Sequence, residues 1–246
     1  MADRYFLDNP ASADRATLAG PEAHHLIHVM RAAPGMEVTL FDGGGDEFSA
    51  VVERVERGSV ELSIRSRRTI DRELPFELTL GVALPKGDRQ KWLVEKAVEI
   101  GVSRIVPLQT KRSVAQPVDQ AITRLRRAVI EASKQCGRNR LMRIDPPRSW
   151  PDYLAGADAA SRRFLAHPGG APLHDSLPTD PPGEPETNQA VFLAIGPEGG
   201  FTDDEAAAAV AHGWQIVDLG PRILRIETAA IVLAAMVVNS YREKKC

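Results

Sequence analysis

QAVFLAIGPEGGFTDDE, residues 189–205, joins an apolar run to a glycine-rich turn and then to an acidic segment. The run up to Ile195 reads as a strand. Thr202 followed three residues later by Glu205 is a capping-box pattern, which starts a helix at Asp203. Strand, turn and helix in that order put the turn at the C-terminal edge of a sheet, where open α/β folds bind ligands. Two readings of the turn stand side by side: Gly196, Gly199 and Gly200 permit a tight connection, or they line a small-molecule pocket. A phosphate chain does not suit such a pocket. The pattern is neither G-x-x-x-x-G-K-[ST] nor G-x-G-x-x-G, it offers no Lys or Arg, and Glu198, Asp203 and Asp204 would repel a pyrophosphate. Bare glycine backbone can approach an adenine edge or a ribose, so a neutral or cationic adenosine derivative fits better.

The alternation of strands and helices extends outward from this segment. From Leu74 onward come the strand FELTLGVAL, the loop PKGD, the helix RQKWLVEKAVEI closed by Gly101 as its C′ residue, and the strand VSRIVPLQ. A second helix runs from about Asp119 to Gln135, with Ile122, Leu125, Val129, Ala132 and Cys136 at spacings of three and four. RRFLAHPGG reads as a strand ending in a loop, and the proline-rich stretch after it as a surface excursion. Beyond the opening segment, WQIVDL is a strand, GPRILR a loop, and Glu227–Lys244 a last helix. The pattern is that of an α/β domain with a mostly parallel sheet.

The first seventy residues differ. After the short helical candidate PEAHHLIHVMR come three closely spaced strand candidates, MEVTLF, EFSAVVERVE and SVELSIRS, separated by turn-forming DGGGD and RGS. They suggest a small β-barrel or sandwich. The boundary falls near Arg72, giving domains over 1–72 and 73–246.

Composition narrows the function. Of 246 residues 43% are apolar and 26% charged, with a net charge of −2, so nucleic-acid binding would have to rest on a local patch. Two distant cysteines, Cys136 and Cys246, support neither a disulfide framework nor a cysteine-based metal site, and they suit a reducing cytoplasm. MADRYFLDNP lacks the apolar core of a signal peptide. The longest apolar run, Ala229–Val238, falls well short of the roughly 20 residues that cross a bilayer. No membrane role and no metal is expected.

A second constellation is DLGPRILRIETAAIVLAAMVV, residues 218–238. An Ala-rich helix is ordinary packing, but Arg222 and Arg225 next to a buried helix need partners, and Glu227 is one candidate. Together with the opening segment, DLGPRILRIETAAIVLAAM resembles the signature of the ribosomal RNA small subunit methyltransferase E family, in the knotted SPOUT class of methyltransferases. LPKGDRQKWLVEKAVEIGVSRIVPLQTKRSV is similar to that family's first strand–helix–strand unit, and EASKQCGR to its arginine-bearing second helix. HHLIHVMRAAPGMEVTLFDGGGDEFSA resembles its N-terminal PUA-like RNA-binding barrel. The likeness covers nearly the whole chain in order.

The resemblance implies a trefoil knot in the C-terminal half, a homodimer, S-adenosyl-L-methionine as cofactor, and methylation of N3 of a uridine in 16S ribosomal RNA of the small subunit. It implies three cofactor loops at strand ends. They match Ala166 and His167 in AHPGG; Ile195, Gly196, Pro197, Glu198, Gly199 and Gly200; and Leu219, Gly220, Ile223, Leu224, Arg225, Thr228 and Ala229. The N3 proton must leave, and the charge then spread over O2 and O4 needs a cation or donor. Arg225 is the candidate, by its place in the matched loop. Glu198 would orient base or cofactor, or accept a proton directly or through water; desolvation of an already weakly acidic N3 is the alternative. Lys86, Arg112 and Gln135 match family motif positions, and Arg31, Arg124, Arg127, Lys134 and Arg138 are candidate RNA contacts. A solvated charged face is the plain alternative for the helix arginines. His24, His25 and His28 read as structural or RNA-facing. Two other functions remain open: a methyltransferase of this fold acting on another RNA, and a non-catalytic RNA-binding ribosome assembly factor.

Overall fold

The structure, a computed structural model, describes residues 3–9, 11, 14–113, 119–176 and 189–242. The chain divides into two compact units, Met1–Glu73 with Ile130–Leu141, and Leu74–Val129 with Met142–Cys246.

In the first unit, β1 (Arg4–Phe6), β2 (Arg15–Ala19), a short helix α1 (Gly20–His24), β3 (Glu37–Phe41), β4 (Asp46–Val55) and β5 (Ser59–Thr69) follow in order. The strands form one sheet, β1-β3-β4-β5-β2, antiparallel except between β1 and β3. Two register shifts between β4 and β5 let these long strands bend. Phe48, Ala50 and Val52 on β4 then share a core with Val60, Leu62, Leu18, Leu40 and Tyr5. The expected helix over PEAHHLIHVMR is split: α1 passes into a π turn over His25–Val29, which buries Leu26. Strands β1 and β2 are additions, because three and five residues carry too little alternation to stand out. The stretch Ile130–Leu141, assigned from sequence to the second domain, belongs to this unit. Helical periodicity says which face of a helix is apolar and nothing about which core receives its end.

The second unit contains β6 (Leu78–Val82), α2 (Arg89–Ile100), β7 (Arg104–Gln109), α3 (Asp119–Cys136, which ends in the first unit), β8 (Arg143–Ile144), β9 (Arg148–Ser149) and α4 (Trp150–Ala155). It continues with β10 (Arg162–Pro172), α5 (Leu173–Ser176), β11 (Val191–Ile195), α6 (Asp203–Ala211), β12 (Gln215–Asp218) and α7 (Ile226–Arg242). The sheet order is β12-β10-β11-β6-β7-β8, with β9 also on β7, and every pairing is parallel. Parallel strands put the segments that follow β6, β7, β10, β11 and β12 on one edge. After β12 the chain returns from the rim of the sheet, so that α7 packs on α2, β11 and β6. Gly101 closes α2 in the left-handed conformation, φ 102°.

Close packing fixes the centre of this sheet. A Cβ on Gly81 would stand 2.4–2.7 Å from the Tyr153 side chain, whose hydroxyl donates to the Leu193 carbonyl at 2.9 Å. Burial pushes the Tyr153 phenol well above its ordinary range. Strand β10 is longer than its sequence suggested, because pairing with β12 resumes at Ala171 after a bulge. A Cβ on Gly170 would lie 2.7–2.8 Å from the backbone of Ile216 and Val217, so glycine is required for this approach. Of the surface excursion expected over 171–188, Ala171 and Pro172 close β10 and Leu173–Ser176 form α5; residues 177–188, the end of the last helix and Cys246 lie outside the described residues.

Candidate functional site

Three of the segments on the C-terminal edge are those singled out from sequence. The turn after β11 is the most firmly built. Thr202 and Glu205 form the full capping box: the Glu205 amide donates to Thr202 Oγ1 at 3.3 Å, and the Thr202 amide to Glu205 Oε2 at 2.9 Å. The other oxygen of this buried carboxylate accepts the Lys111 amide at 2.8 Å, tying the segment after β7 to α6. Lys111 Nζ also reaches Asp204 at 2.9 Å, which lowers the Asp204 pKa. Phe201 is buried against Trp150, whose indole N–H donates to the Glu205 carbonyl at 3.0 Å. A Cβ on Gly196 would stand 3.0 Å from that phenyl ring. Gly200 has φ 69°, and its amide donates to the Pro197 carbonyl at 2.8 Å. Ile195, Gly196 and Pro197 are buried at the base of the turn, while Glu198 and Gly199 are exposed at its tip.

Arg112 is exposed and donates from Nη1 to the Gly199 carbonyl at 2.6 Å, so it supports the turn from outside. Lys86, on the segment after β6, is exposed.

The bulge of β10 carries the second segment. Ala166 and His167 are half-buried, and His167 Nδ1 lies 2.8 Å from the Pro168 carbonyl oxygen. The third segment begins at Leu219 and Gly220, and its Leu224 is half-buried. Arg222, Ile223 and Arg225 stand in solvent, Ile223 at 98% exposure. The Arg225 carbonyl accepts the Ala229 amide at 2.8 Å, which makes it the residue that opens α7. Thr228 in the first turn is exposed and Ala229 half-buried.

The charge arrangement departs from expectation. Arg222 and Arg225 face water and so need no buried partner; among the described residues neither side chain forms an ion pair. Glu227 is paired with Arg89 instead. Arg89 Nη1 lies 3.6 Å from Glu227 Oε2, and Nη2 lies 3.7 Å from Glu198 Oε1. Glu227 is only 7% exposed, and its Oε2 has no hydrogen bond. Sequence reading missed Arg89. Its signal was a cation at the positive end of α2, whose first turn holds no acidic residue, a position that calls for outside carboxylates.

Asp218 was missed as well. Its Oδ1 accepts the Gly220 amide at 2.7 Å and its Oδ2 the Gly169 amide at 3.1 Å. These two backbone donors hold the carboxyl below its ordinary range, Gly220 more than Gly169. The local half is legible as an Asp two residues before a Gly, the Asx-turn pattern. The reach to Gly169 is a tertiary fact.

The candidate RNA contacts sort differently from the sequence reading. Arg124, Arg127 and Gln135 on α3 are exposed, as is Arg31 in the first unit. Arg31, two residues past the π turn, has φ 56°, a conformation uncommon for a side-chain-bearing residue. Arg138, expected as an RNA contact, is buried. It is 4% exposed, and its Nε donates to both carboxylate oxygens of Glu73 at 2.9 and 3.0 Å. Lys134 is largely buried between Glu22 at 3.0 Å and Glu131 at 3.3 Å. Both cations are engaged inside the first unit, and neither presents a free charge to a phosphate.

Residues 72–238 match the family model for an RNA methyltransferase domain, and residues 18–65 that for an RNA methyltransferase PUA domain. Ribosomal RNA small subunit methyltransferase E of Synechocystis is 32% identical over 229 residues, covering 90% of this chain and 72% of that one. The protein of the same name from Mycobacterium bovis is 31% identical, covering 94% and 89%. The crystal structure of such an enzyme from Neisseria gonorrhoeae, bound to S-adenosyl methionine, aligns at a TM-score of 0.86 and 29% identity, covering 97% and 98%. The chain belongs to the ribosomal RNA small subunit methyltransferase E family.

Proposed function

We propose that this protein transfers a methyl group from S-adenosyl-L-methionine to N3 of a uridine in 16S ribosomal RNA of the small subunit. The observation that carries this reading is the convergence, on one edge of a parallel sheet, of three glycine-bearing segments, with Arg225 exposed on the third and, among the described residues, without an ion pair. The residues fit the cofactor. At Gly169, Gly200 and Gly220 a Cβ would meet nothing within 4 Å, so the cradle is open where a side chain would otherwise project. The turn after β11 presents a carboxylate, Glu198, and no cation of its own, although Arg89 and Arg112 reach it from neighbouring segments.

In this reading Ala166, His167, Ile195–Gly200, Leu219, Gly220, Ile223, Leu224, Thr228 and Ala229 line the cofactor site. When bound, the cofactor supplies a methyl carbon on sulfur; N3 takes that carbon and the bonding pair returns to sulfur. The uridine must leave its stack to expose N3. Arg225 then faces the negative charge that develops on O2 and O4 as the N3 proton departs. Glu198, held near Arg89, orients the base or takes that proton, directly or through water. Arg31, Lys86, Arg124, Arg127 and Gln135 serve the RNA, with Arg112 joining them from the segment after β7.

Three further readings accompany this one. The family resemblance implies a knotted connection in the second unit. Trp92 and Met236 are 43% and 39% exposed on α2 and α7, helices that pack on each other. A second copy of the chain covering that apolar surface gives a homodimer, which sedimentation of wild type against Met236→Glu tests. Among the described residues no helix is long and apolar enough to cross a membrane, and action on ribosomal RNA supports a cytoplasmic location.

The direct test incubates the protein with labelled S-adenosylmethionine and small subunits lacking the modification, then maps the labelled nucleoside. Label on N3 of uridine is expected. Label on another base overturns the assignment of substrate, and cofactor binding without label favours the assembly-factor reading.

A further inference from the structure

The two cofactor segments that flank β10 and β12 are distant in sequence, yet one side chain holds both. Asp218, the last residue of β12, pairs through its backbone register with Pro172. Its side chain turns back to the bulge and accepts the Gly169 amide at 3.1 Å, while its other oxygen accepts the Gly220 amide at 2.7 Å. Both donors sit in left-handed backbone, φ 81° at Gly169 and 108° at Gly220. Such backbone is readily adopted by glycine, and it sets the direction in which each N–H points. Gly170 beside the bulge admits no Cβ, so the two strands touch at backbone distance just behind the carboxylate. The bulge and the start of the segment after β12 are therefore joined through one carboxylate.

We propose that Asp218 is a positioning residue: it locks the 166–170 bulge to the 219–225 segment so that both present their backbone to the cofactor as one preformed wall. The inference rests on the cofactor reading above. Its energetic logic is preorganisation. Segments already held together lose less freedom when a ligand orders them, so the lock acts on cofactor affinity rather than on the methyl-transfer step. Asp218 need not touch the ligand to do this, because both of its oxygens are already engaged with backbone.

The test compares wild type with Asp218→Ala and Asp218→Asn. Calorimetry gives the Kd for S-adenosylmethionine, and steady-state rates on small subunits give KM and kcat. Asp218→Ala is expected to raise the cofactor Kd and KM about tenfold, with kcat at saturating cofactor within about threefold of wild type. Asp218→Asn retains one carbonyl acceptor and is expected to recover part of that loss. Amide exchange followed by NMR supplies a readout independent of activity: protection of Gly169 and Gly220 is lost together in Asp218→Ala. An unchanged Kd in Asp218→Ala overturns the proposal, as does a fall in kcat that matches or exceeds the rise in KM. If wild type binds no S-adenosylmethionine, the cofactor reading fails and this role fails with it, and the exchange data still decide whether the carboxylate joins the segments.

Discussion

Arg138, in the tail that follows α3, and Arg225, in the segment after β12, both look functional in the sequence, and the structure treats them in opposite ways. Arg138 is buried, with Glu73 clasping its guanidinium, and the pair helps fasten Ile130–Leu141 into the first unit. Arg225 is exposed and, among the described residues, has no carboxylate partner. A buried guanidinium must have its charge answered inside the protein, so it is spent on structure. An exposed one on a firm backbone keeps its charge for something that arrives. The difference separates a cation that holds the fold from one available for chemistry, and it can be broken from either side.

The largest effect belongs to Arg225→Ala. Loss of a donor aimed at developing charge lowers kcat by about a hundredfold to a thousandfold, roughly 3–4 kcal/mol in the barrier. Thermal stability stays near wild type and the cofactor Kd moves by less than about threefold, read by calorimetry beside single-turnover rates. Equal losses in affinity and turnover would move Arg225 into the cofactor site and weaken the contrast. Arg138→Ala is expected to behave in the converse manner. It strands Glu73 in a partly buried position and costs about 2–3 kcal/mol in denaturant unfolding, with kcat of the folded fraction near wild type. A stable Arg138→Ala protein that binds RNA poorly would show that the buried pair opens to meet its substrate.

The contrast also explains which parts were legible in the sequence. Helices α2, α6 and α7 and strands β6, β11 and β12 appear close to their expected limits, because apolar runs, Gly101 and the Thr202–Glu205 pair are local signals. The short strands β8 and β9, too brief to show a period, gave none. The three segments proposed to hold the cofactor were marked by glycines that the chain needs where they stand. What sequence could not rank was the fate of each charged residue. Arg124, Arg127, Lys134 and Arg138 share one helix and its tail, yet burial and partners divide them, and partners such as Glu22 and Glu73 are far away in sequence. Arg89 and Asp218 escaped for the same reason: their meaning lies in Glu198, Glu227 and Gly169, which only the fold brings near.

A smaller effect tests the turn after β11. Thr202→Ala removes one half of the capping box, while Glu205 keeps its bonds to Lys111 and to the Thr202 amide. The loss is about 1 kcal/mol of stability by denaturant unfolding. Because Phe201 and Trp150 still hold the turn, the cofactor Kd is expected to stay within about twofold, and a larger change would mean that the cap, not the aromatic packing, sets the pocket wall.

The smallest effect concerns the helix arginines, and it extends the same division of cations. Arg124 and Arg127 project into solvent from α3, in the part of the helix that belongs to the second unit. If they meet phosphates, each contributes through release of counterions, a term that depends on charge and not on base identity. Removing one contact should lower the slope of log affinity against log salt by about 0.7–0.9. The double variant Arg124→Ala/Arg127→Ala is therefore expected to flatten that slope by about 1.4–1.8 for small-subunit RNA, with stability and kcat at saturating RNA almost unchanged. Arg138→Ala should leave the slope where it was, since its charge is already neutralised by Glu73 in the free protein. A slope that falls equally in the two variants would return Arg138 to the RNA surface, and one that falls in neither would make the helix arginines a solvated face.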